Sequence, residues 1–404
     1  MSLTETPRAN RLHIGIFGKR NSGKSSLTNA LTGQQAALVS DVAGTTTDPV
    51  YKAMEVHGIG PCVFIDTAGF DDEGTLGGMR VERTQEAAKK TDVALLLFSG
   101  DDFTQELAWL EQFQASKTPV IAVVNKADEQ DAPALAARVL EESKLTPIAV
   151  SAKTGEGVES LRAAIIRAMP ADFEQESITG DLCAAGDLVL LVMPQDIQAP
   201  KGRLILPQVQ MIRELLDKKC LVSCCTGDNL EASLASLAHP PKLIITDSQL
   251  FRTVYAKKPP ETPLTSFSVL LAAYKGDISY FTESAKAADR LTEHSRVLIA
   301  EACTHAPLTE DIGREKIPRM LRARVGQGLT IEFARGTDFP ADLTPYDLVI
   351  HCGACMFNRK YVLSRVSQAK DQGVPMTNYG LLIAHFQIDA EPRPRATPDA
   401  LPTW

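Results

Sequence analysis

Short apolar runs alternate with amphipathic stretches along most of the chain, and this alternation predicts an α/β fold with mainly parallel sheets. The predicted buried strands lie at residues 11–17, 61–65, 120–124, 188–193, 220–225, 242–247, 296–305 and 347–355. A helix predicted at 206–219 should bury the side formed by Leu206, Val209, Ile212, Leu215 and Leu216. The length of 404 residues suggests two or three domains.

A glycine-rich loop joins the first predicted strand to a helix. Residues 18–25 spell GKRNSGKS, which fits the pattern G-x-x-x-x-G-K-S in the required strand–loop–helix context. Glycines let backbone N–H groups point at phosphates, Lys24 should reach the β- and γ-phosphates, and Ser25 should ligate Mg²⁺. The predicted phosphate-binding residues are Gly18, Asn21, Ser22, Gly23, Lys24, Ser25 and Ser26.

Three further motifs follow predicted strands and indicate which nucleotide is bound. In the segment 66–69 (DTAG), Asp66 is expected to hold Mg²⁺ through a water and the Gly69 N–H to meet the γ-phosphate. In the segment 125–128 (NKAD), the Asp128 carboxylate can accept two hydrogen bonds from guanine. A backbone N–H of segment 151–153 is expected at the guanine carbonyl. The predicted base-binding residues are Asn125, Lys126, Asp128, Ser151, Ala152 and Lys153.

Together these motifs predict a GTPase that converts GTP to GDP and phosphate, and their order resembles the TrmE–Era-like branch of P-loop GTPases. By that resemblance the segment 44–48 (GTTTD) is the first switch, in which Thr46 ligates Mg²⁺. Asn21 matches the residue that helps hold K⁺ in potassium-activated relatives, and Phe70 stands where Ras-like enzymes carry a glutamine. We therefore expect slow, potassium-activated turnover. The expected catalytic residues are Lys24, Thr46, Asp66 and Gly69.

Eight cysteines in a chain expected to be cytoplasmic are better candidates for metal ligands or packing than for disulfides. Five are isolated or adjacent and are predicted to pack in cores: Cys62, Cys183, Cys220, Cys224 and Cys225. Cys303, Cys352 and Cys355 instead follow two buried strands, where open α/β sheets bind ligands. With His305 or His351 they could hold zinc, or the three thiolates could hold a 4Fe-4S cluster. Their origin at two distant strand ends favours iron–sulfur.

These cysteine groups behind a TrmE-like GTPase resemble the HydF family of FeFe-hydrogenase maturation GTPases, as do the stretches 199–210, 246–251, 263–277, 311–319, 351–359 and 373–380. The resemblance implies a GTPase domain (1–172), a dimerisation domain (173–264) and a cluster-binding domain (265–390). It implies a carrier that takes a di-iron precursor, with CO, CN⁻ and dithiolate ligands, to apo-hydrogenase. Its implied partners are two radical-SAM maturases, the hydrogenase and a second copy or more. Glu310 is the implied labile fourth iron ligand; His305 and His351 are rivals, and either could instead support the cluster or pack.

Composition limits the alternatives. The net charge of −8 and the absence of a basic run argue against a nucleic-acid partner, and the longest apolar run is far too short to span a membrane. The Pro-rich residues 391–404 are predicted to be disordered. Two other interpretations stay open: a tRNA- or ribosome-associated GTPase, and a GTP-regulated interaction protein structured by zinc.

Overall fold

A computed structural model describes the chain over residues 10–32, 49–56, 60–69, 75–129, 131–170, 177–194, 204–247, 250–301, 312–354 and 357–388. The chain divides into two compact units, residues 1–175 and 176–404. Within the described residues, no helix combines the length and the apolar composition needed to cross a bilayer.

The first unit is a six-stranded sheet of order β2-β3-β1-β4-β5-β6, in which only β2 runs antiparallel to its neighbour. Its strands are β1 Leu12–Gly18, β2 Val50–Val56, β3 Gly60–Asp66, β4 Val93–Phe98, β5 Val120–Val124 and β6 Ile148–Ala149. Its helices are α1 Lys24–Thr32, α2 Thr75–Lys89, α3 Thr104–Ala115, α4 Ala132–Ser143 and α5 Val158–Ala168. The predicted apolar strands of this unit are confirmed.

Helices cover both faces of this sheet, because its central strands are apolar on both sides. On one face Ile14 and Leu95 pack with Leu27 of α1 and Leu161 of α5. On the other face Phe17 and Leu96 belong to a core that includes residues of α3 and α4. This doubly wound arrangement brings the carboxyl ends of the parallel strands to one edge.

The second unit contains two four-stranded sheets, and both are parallel throughout, as predicted. The sheet of order β10-β9-β7-β8 has the strands β7 Leu188–Val192, β8 Leu221–Cys225, β9 Leu243–Thr246 and β10 Leu264–Ser266. The helices between its strands are α6 Leu206–Asp217, α7 Leu230–Ser236 and α8 Phe251–Lys257. This sheet is followed by α9 Phe267–Lys275 and α10 Ile278–Ala285. The sheet of order β12-β11-β13-β14 has the strands β11 Arg296–Glu301, β12 Thr330–Arg335, β13 Leu348–His351 and β14 Met376–Asn378. The helices α11 Ile317–Val325 and α12 Arg359–Asp371 lie between its strands in sequence, and α13 Tyr379–Ile388 follows β14.

Two packing predictions need correction around β8, which lies at the edge of its sheet. Leu216 was expected on the buried side of α6 but is 55% exposed, because the fully buried row of that helix runs through Gln208, Met211 and Leu215. Cys224 is also exposed, since an edge strand has a neighbour on one side only. Among the other cysteines predicted to pack, Cys225 is half-buried, and Cys62, Cys183 and Cys220 are buried.

Candidate functional site

The four nucleotide-binding motifs all begin at the same edge of the first sheet. The segment 18–25 follows β1, Asp66 closes β3, Asn125 follows β5, and Ser151 comes shortly after β6. These four strands are parallel within one sheet, so their carboxyl ends lie side by side. The order of the strands therefore brings together motifs that are more than 100 residues apart.

The glycine-rich loop has the backbone that phosphate binding requires. Asn21 and Gly23 adopt left-handed φ angles of +61° and +88°. A Cβ at Gly23 would lie 2.3 Å from Asn125 Nδ2, so only glycine fits there. Helix α1 begins at Lys24, so the positive end of the helix dipole faces the loop. Ser25 and Ser26 are exposed in its first turn.

Lys24 is buried and folds back over this loop. Its ammonium donates hydrogen bonds to the carbonyl oxygens of Gly18 at 2.9 Å and Lys19 at 2.7 Å. A positive charge is thereby held where the loop amides converge. The arrangement suits an anionic ligand with several oxygens, as a polyphosphate is.

Asp66 and Ser25 form the polar pair expected to hold Mg²⁺. Asp66 accepts a hydrogen bond from Ser25, while its Oδ1 is buried and has no hydrogen-bond partner among the described residues. Burial raises the pKa of Asp66, against the opposing effects of Ser25, Lys24 and Lys52. A buried carboxylate oxygen without a partner, beside a serine hydroxyl, fits the donor set that Mg²⁺ prefers.

Asn125 ties the phosphate loop to the base-binding loop. Its Nδ2 donates to the carbonyl oxygens of Ser22 at 3.1 Å and Gly23 at 3.3 Å, and its Oδ1 accepts from the Ala152 N–H at 3.4 Å. The side chain is buried, so loss of these bonds would leave polar groups unsatisfied. Asn125 thus links the loop expected to bind phosphate with the loop expected to bind the base.

Asp128, the residue expected to read guanine, is oriented by its neighbours. Its Oδ1 accepts a hydrogen bond from Ser151 Oγ at 2.6 Å, and Lys153 Nζ lies 3.8 Å from its Oδ2. The Ser151 hydroxyl is the main reason that the pKa of Asp128 lies below its usual value. A carboxylate that stays ionised is a strong acceptor for two guanine N–H groups.

Sequence reasoning missed one residue that supports the phosphate loop. Glu106, on α3, is fully buried, and its Oε2 lies 3.1 Å from Lys19 Nζ. Burial is the main effect on the pKa of Glu106 and raises it. A single acidic residue among the apolar positions of α3 is the only sequence signal that could have drawn attention to it.

Several predicted site residues lie outside the described residues. They are the switch segment 44–48 with Thr46, Phe70, Cys303, His305, Glu310 and Cys355. Gly69 is described and is buried directly after β3. The roles assigned to all of these residues stay predictions.

The two strands that precede the cysteine loops are direct neighbours. β11 and β13 run parallel with Ala300 opposite His351, and the Cys352 N–H donates to the Ala300 carbonyl at 3.0 Å. Cys303 follows β11 by two residues, and Cys355 follows Cys352 by three. The adjacency expected from the sequence is confirmed for the strands, and the two loops leave from one edge of the sheet.

The start of the Cys352 loop has a conformation suited to thiolate ligation. Ala354 has a left-handed φ of +49°, and its N–H donates to Cys352 Sγ at 3.5 Å. Such N–H donors stabilise negative charge on sulfur and tune iron–sulfur centres. The Cys352 carbonyl accepts a second set of bonds, from His351 Nδ1 at 2.7 Å and Asn378 Nδ2 at 3.3 Å.

His351 has both ring nitrogens engaged, which corrects its proposed role as an iron ligand. Nδ1 donates to the Cys352 carbonyl, while Nε2 accepts from Arg365 Nη1 at 2.9 Å. Burial, with the Arg365 charge as a second cause, lowers the pKa of His351 to about 3. The neutral ring therefore supports the loop rather than offering a free nitrogen.

Arg365 is a second supporting residue that the sequence did not reveal. It is buried on α12, donates to the Gly336 carbonyl, and stacks on three aromatic rings. The distances from its guanidinium carbon to the ring centroids of Phe339, Tyr361 and Phe357 are 4.5, 4.7 and 5.3 Å. In the sequence it resembles any surface arginine of an amphipathic helix.

Over the ranges that the structure covers, no three His, Cys, Asp or Glu side chains are grouped so as to hold a metal ion. Of the three predicted thiolates, only Cys352 belongs to those ranges. The hydrogen bond from the Ala354 N–H to Cys352 Sγ fits a thiolate ligand at this position.

Three sequence families match successive parts of the chain. Residues 13–126 match the 50S ribosome-binding GTPase family, 178–276 the Hydrogen maturase F dimerization domain, and 279–390 the Hydrogen maturase F tetramerization domain. The two Hydrogen maturase F domains together cover more than half of the chain. They favour the hydrogenase interpretation over a tRNA- or ribosome-associated one.

Individual relatives resemble part of the chain. The tRNA modification GTPases MnmE of Burkholderia cenocepacia (strain HI2424) and Laribacter hongkongensis (strain HLHK9) are 37% and 36% identical over 158 and 169 residues. These matches cover 39% and 41% of this chain but only 34% and 37% of the relatives. The chain therefore spans about a third of the length of the curated relatives it matches.

Among solved structures, Era bound to MgGDPNP and 16S ribosomal RNA covers 53% of this chain and 92% of its own, with 20% identity and a TM-score of 0.35. Era of Aquifex aeolicus bound to GDP and AlF4⁻ covers 56% and 98%, with 19% identity and a TM-score of 0.34. The GTPase domain match, followed in order by both Hydrogen maturase F domains, settles the family. The chain belongs to the HydF-type hydrogenase maturation GTPases.

Proposed function

We propose that this protein is a GTP-hydrolysing scaffold that binds a 4Fe-4S cluster and delivers a di-iron precursor to apo-FeFe-hydrogenase. The cluster would be held by Cys303, Cys352 and Cys355. The observation that carries the proposal is the parallel pairing of β11 with β13, because it makes both cysteine loops leave from one sheet edge. Family membership supports the hydrogenase as the recipient.

The donor set suits a cluster that must accept a second metal fragment. Three soft thiolates satisfy three irons and leave the fourth iron exchangeable. Glu310 and His305 remain candidates for a displaceable fourth ligand, whereas His351 is committed to Arg365 and Cys352. The cargo is the di-iron unit with its CO, CN⁻ and dithiolate ligands, supplied by two radical-SAM maturases.

GTP hydrolysis takes place in the other unit. Attack of water on the γ-phosphorus breaks its bond to the β–γ bridging oxygen and gives GDP and phosphate. Lys24 and the loop amides before α1 stabilise the negative charge, and Asp128 fixes the base. Ser25, Asp66 and Thr46 would hold Mg²⁺, which neutralises charge on the β- and γ-phosphates. Thr46 and the segment after Gly69 would change arrangement when phosphate leaves, so hydrolysis would act on partner contacts rather than on the cluster.

We further propose that turnover is slow and accelerated by K⁺ held near Asn21, and that the chain works in the cytoplasm as a homodimer or larger oligomer. The two matched oligomerisation domains support self-association. Asn21 lies within the phosphate loop, has a left-handed φ and is exposed, which supports this role.

Anaerobic reconstitution with iron and sulfide tests the cluster. We expect about four irons per chain in the wild type, and loss of stable iron in both Cys303→Ser and Cys352→Ser. Cys224→Ser is the matched control, because this thiol lies on the β8 edge strand and should leave iron content unchanged. Retained zinc without bound iron would refute the proposal and support the zinc-structured alternative.

A further inference from the structure

Helix α9 belongs to two hydrophobic cores at once. Leu270 and Leu271 pack in the core of the β7–β10 sheet, with residues of β7 and α6. Val269 and Ala272 pack in a core that includes residues of β13 and α12. The helix lies at the end of the matched dimerisation domain. It therefore contributes side chains both to the core of that domain and to the core of the cysteine-bearing domain.

The contacts of α9 with the cysteine-bearing domain are close and polar as well as apolar. A Cβ at Gly380 would lie 2.4 Å from Ser268 Oγ, so α13 approaches α9 as closely as glycine allows. Arg359 Nε, at the start of α12, donates to the Tyr274 carbonyl at 2.9 Å. Movement of α9 would therefore be felt in both domains.

The last residue of α9 contacts the cysteine loop directly. Lys275 is only 3% exposed, and its ammonium donates to the carbonyl oxygens of Ala354 and Phe357, each at 2.9 Å. These two carbonyls lie on either side of Cys355 and Met356. Charge-assisted bonds in a buried site are strong, so Lys275 anchors Ala354 and Phe357 firmly.

We propose that Lys275 is a positioning residue through which the dimerisation domain fixes Ala354 and Phe357 and so supports the loop that begins at Cys352. Packing of α9 in the dimerisation core fixes the Lys275 ammonium, and the ammonium fixes the carbonyl groups of Ala354 and Phe357. The same positive charge favours thiolates and the added electron of a reduced cluster. The electrostatic part of this inference rests on the proposed iron–sulfur function, whereas the mechanical part does not.

The first experiment measures backbone amide exchange in the full-length, cluster-free protein. Lys275→Met keeps the aliphatic stem but removes the donors, so exchange in residues 353–358 should rise about tenfold or more. Lys370→Met is the matched control, because Lys370 is an exposed lysine that pairs with Asp277 at 2.6 Å. Exchange of the loop equal to that of the control would overturn the proposal.

A second pair of variants tests transmission through α9 without touching Lys275. Leu270→Val loosens α9 in the dimerisation core and should raise exchange of the same loop by roughly two- to tenfold. Leu190→Val makes the same change on the opposite face of β7, in a core whose described members include no residue of α9, and should leave the loop unchanged. Equal effects of the two variants on loop exchange would show that α9 does not couple the dimerisation core to the loop. This test remains valid even if Lys275→Met fails to fold.

The third measurement is the midpoint potential of the reconstituted cluster. Loss of the buried charge in Lys275→Met should make the potential more negative, while Lys370→Met should match the wild type. An unchanged potential in Lys275→Met would refute the electrostatic part. If the wild type itself takes up no iron, the proposed function fails, and the exchange experiments still decide whether Lys275 positions the loop.

Discussion

Hydrogen bonds from neighbouring side chains hold both Asp128 and Cys352. Ser151 donates to the Asp128 carboxylate, and His351, backed by Arg365, donates to the Cys352 carbonyl. In both cases the motif residue is the group expected to bind the ligand. A hydrogen bond from another residue restricts the conformation of that motif residue. Single substitutions at the supporting positions should therefore weaken binding of the nucleotide or the cluster, although the side chains expected to contact them are still present.

Ser151→Ala should weaken GDP binding about tenfold at pH 7, because Asp128 loses its orienting donor. The lowered pKa of Asp128 keeps its carboxylate ionised at mildly acidic pH, so wild-type affinity should be flat from pH 7.5 to about 4.5. Without the Ser151 hydroxyl the pKa of Asp128 rises, and affinity should begin to fall at the acidic end. Fluorescent GDP titrations across this range measure both effects. Ser116→Ala, remote on the α3 cap, should behave as wild type.

Asn21→Ala should remove the expected response to potassium. In the wild type we expect faster GTP turnover in potassium chloride than in sodium chloride at equal ionic strength. The variant should hydrolyse GTP at the slower rate in both salts, because the side-chain oxygen expected to hold the ion is gone. Phosphate release under saturating GTP is the measurement, and equal wild-type rates in the two salts would contradict the prediction.

At the scale of elements, α6 and β8 present apolar side chains to solvent within the matched dimerisation domain. Leu216 of α6 and Leu221 of β8 are 55% and 61% exposed, and Leu204, just before α6, is 43% exposed. Among the described strands, β8 pairs with β7 alone, so its other side is an edge that a further strand could join. Exposed apolar side chains on and near an edge strand are suitable contacts for a second copy of the chain.

Leu221→Lys should weaken the homodimer at least about tenfold, since a charge on the edge strand opposes both burial and strand pairing. Sedimentation velocity over a range of protein concentrations measures the dissociation constant. Leu140→Lys is the control, because Leu140 is similarly exposed (45%) but lies on α4 of the GTPase domain. Equal effects of the two substitutions would place the dimer contact elsewhere.

At the scale of the whole molecule, the GTPase and the cysteine-bearing sheet belong to different compact units. The described residues of the predicted nucleotide site all belong to the first unit, and the Lys275 bond to the Cys352 loop lies within the second. We therefore expect GTP hydrolysis to continue when the cluster is lost, and iron binding to continue when GTP hydrolysis is lost.

Lys24→Ala should lower GTP turnover at least about a hundredfold, because the charge that stabilises the transferring phosphate is lost. The same variant should retain wild-type iron content after reconstitution. Cys352→Ala should show the reverse, with little iron and normal GTP turnover. Phosphate release and iron analysis on the same preparations measure both. Loss of iron in Lys24→Ala would show that the two units depend on each other.

The apolar runs and motif spacings were sufficient to predict the mainly parallel sheets, the guanine-nucleotide motifs and the strands before the cysteines. This worked because periodicity reports which residues can be buried, and because glycine and lysine in a phosphate loop satisfy local backbone requirements. The exposure of Leu216 and Leu221, the engagement of His351, and the buried positions of Lys275 and Arg365 were decided only by tertiary structure. Their partners are distant in sequence: Lys275 meets Ala354 across 79 residues, and nothing in the local pattern separates it from a surface lysine. Which strands pair and which helix lies behind a loop depend on the packing of the whole domain, and that packing gives a lysine or an arginine its role.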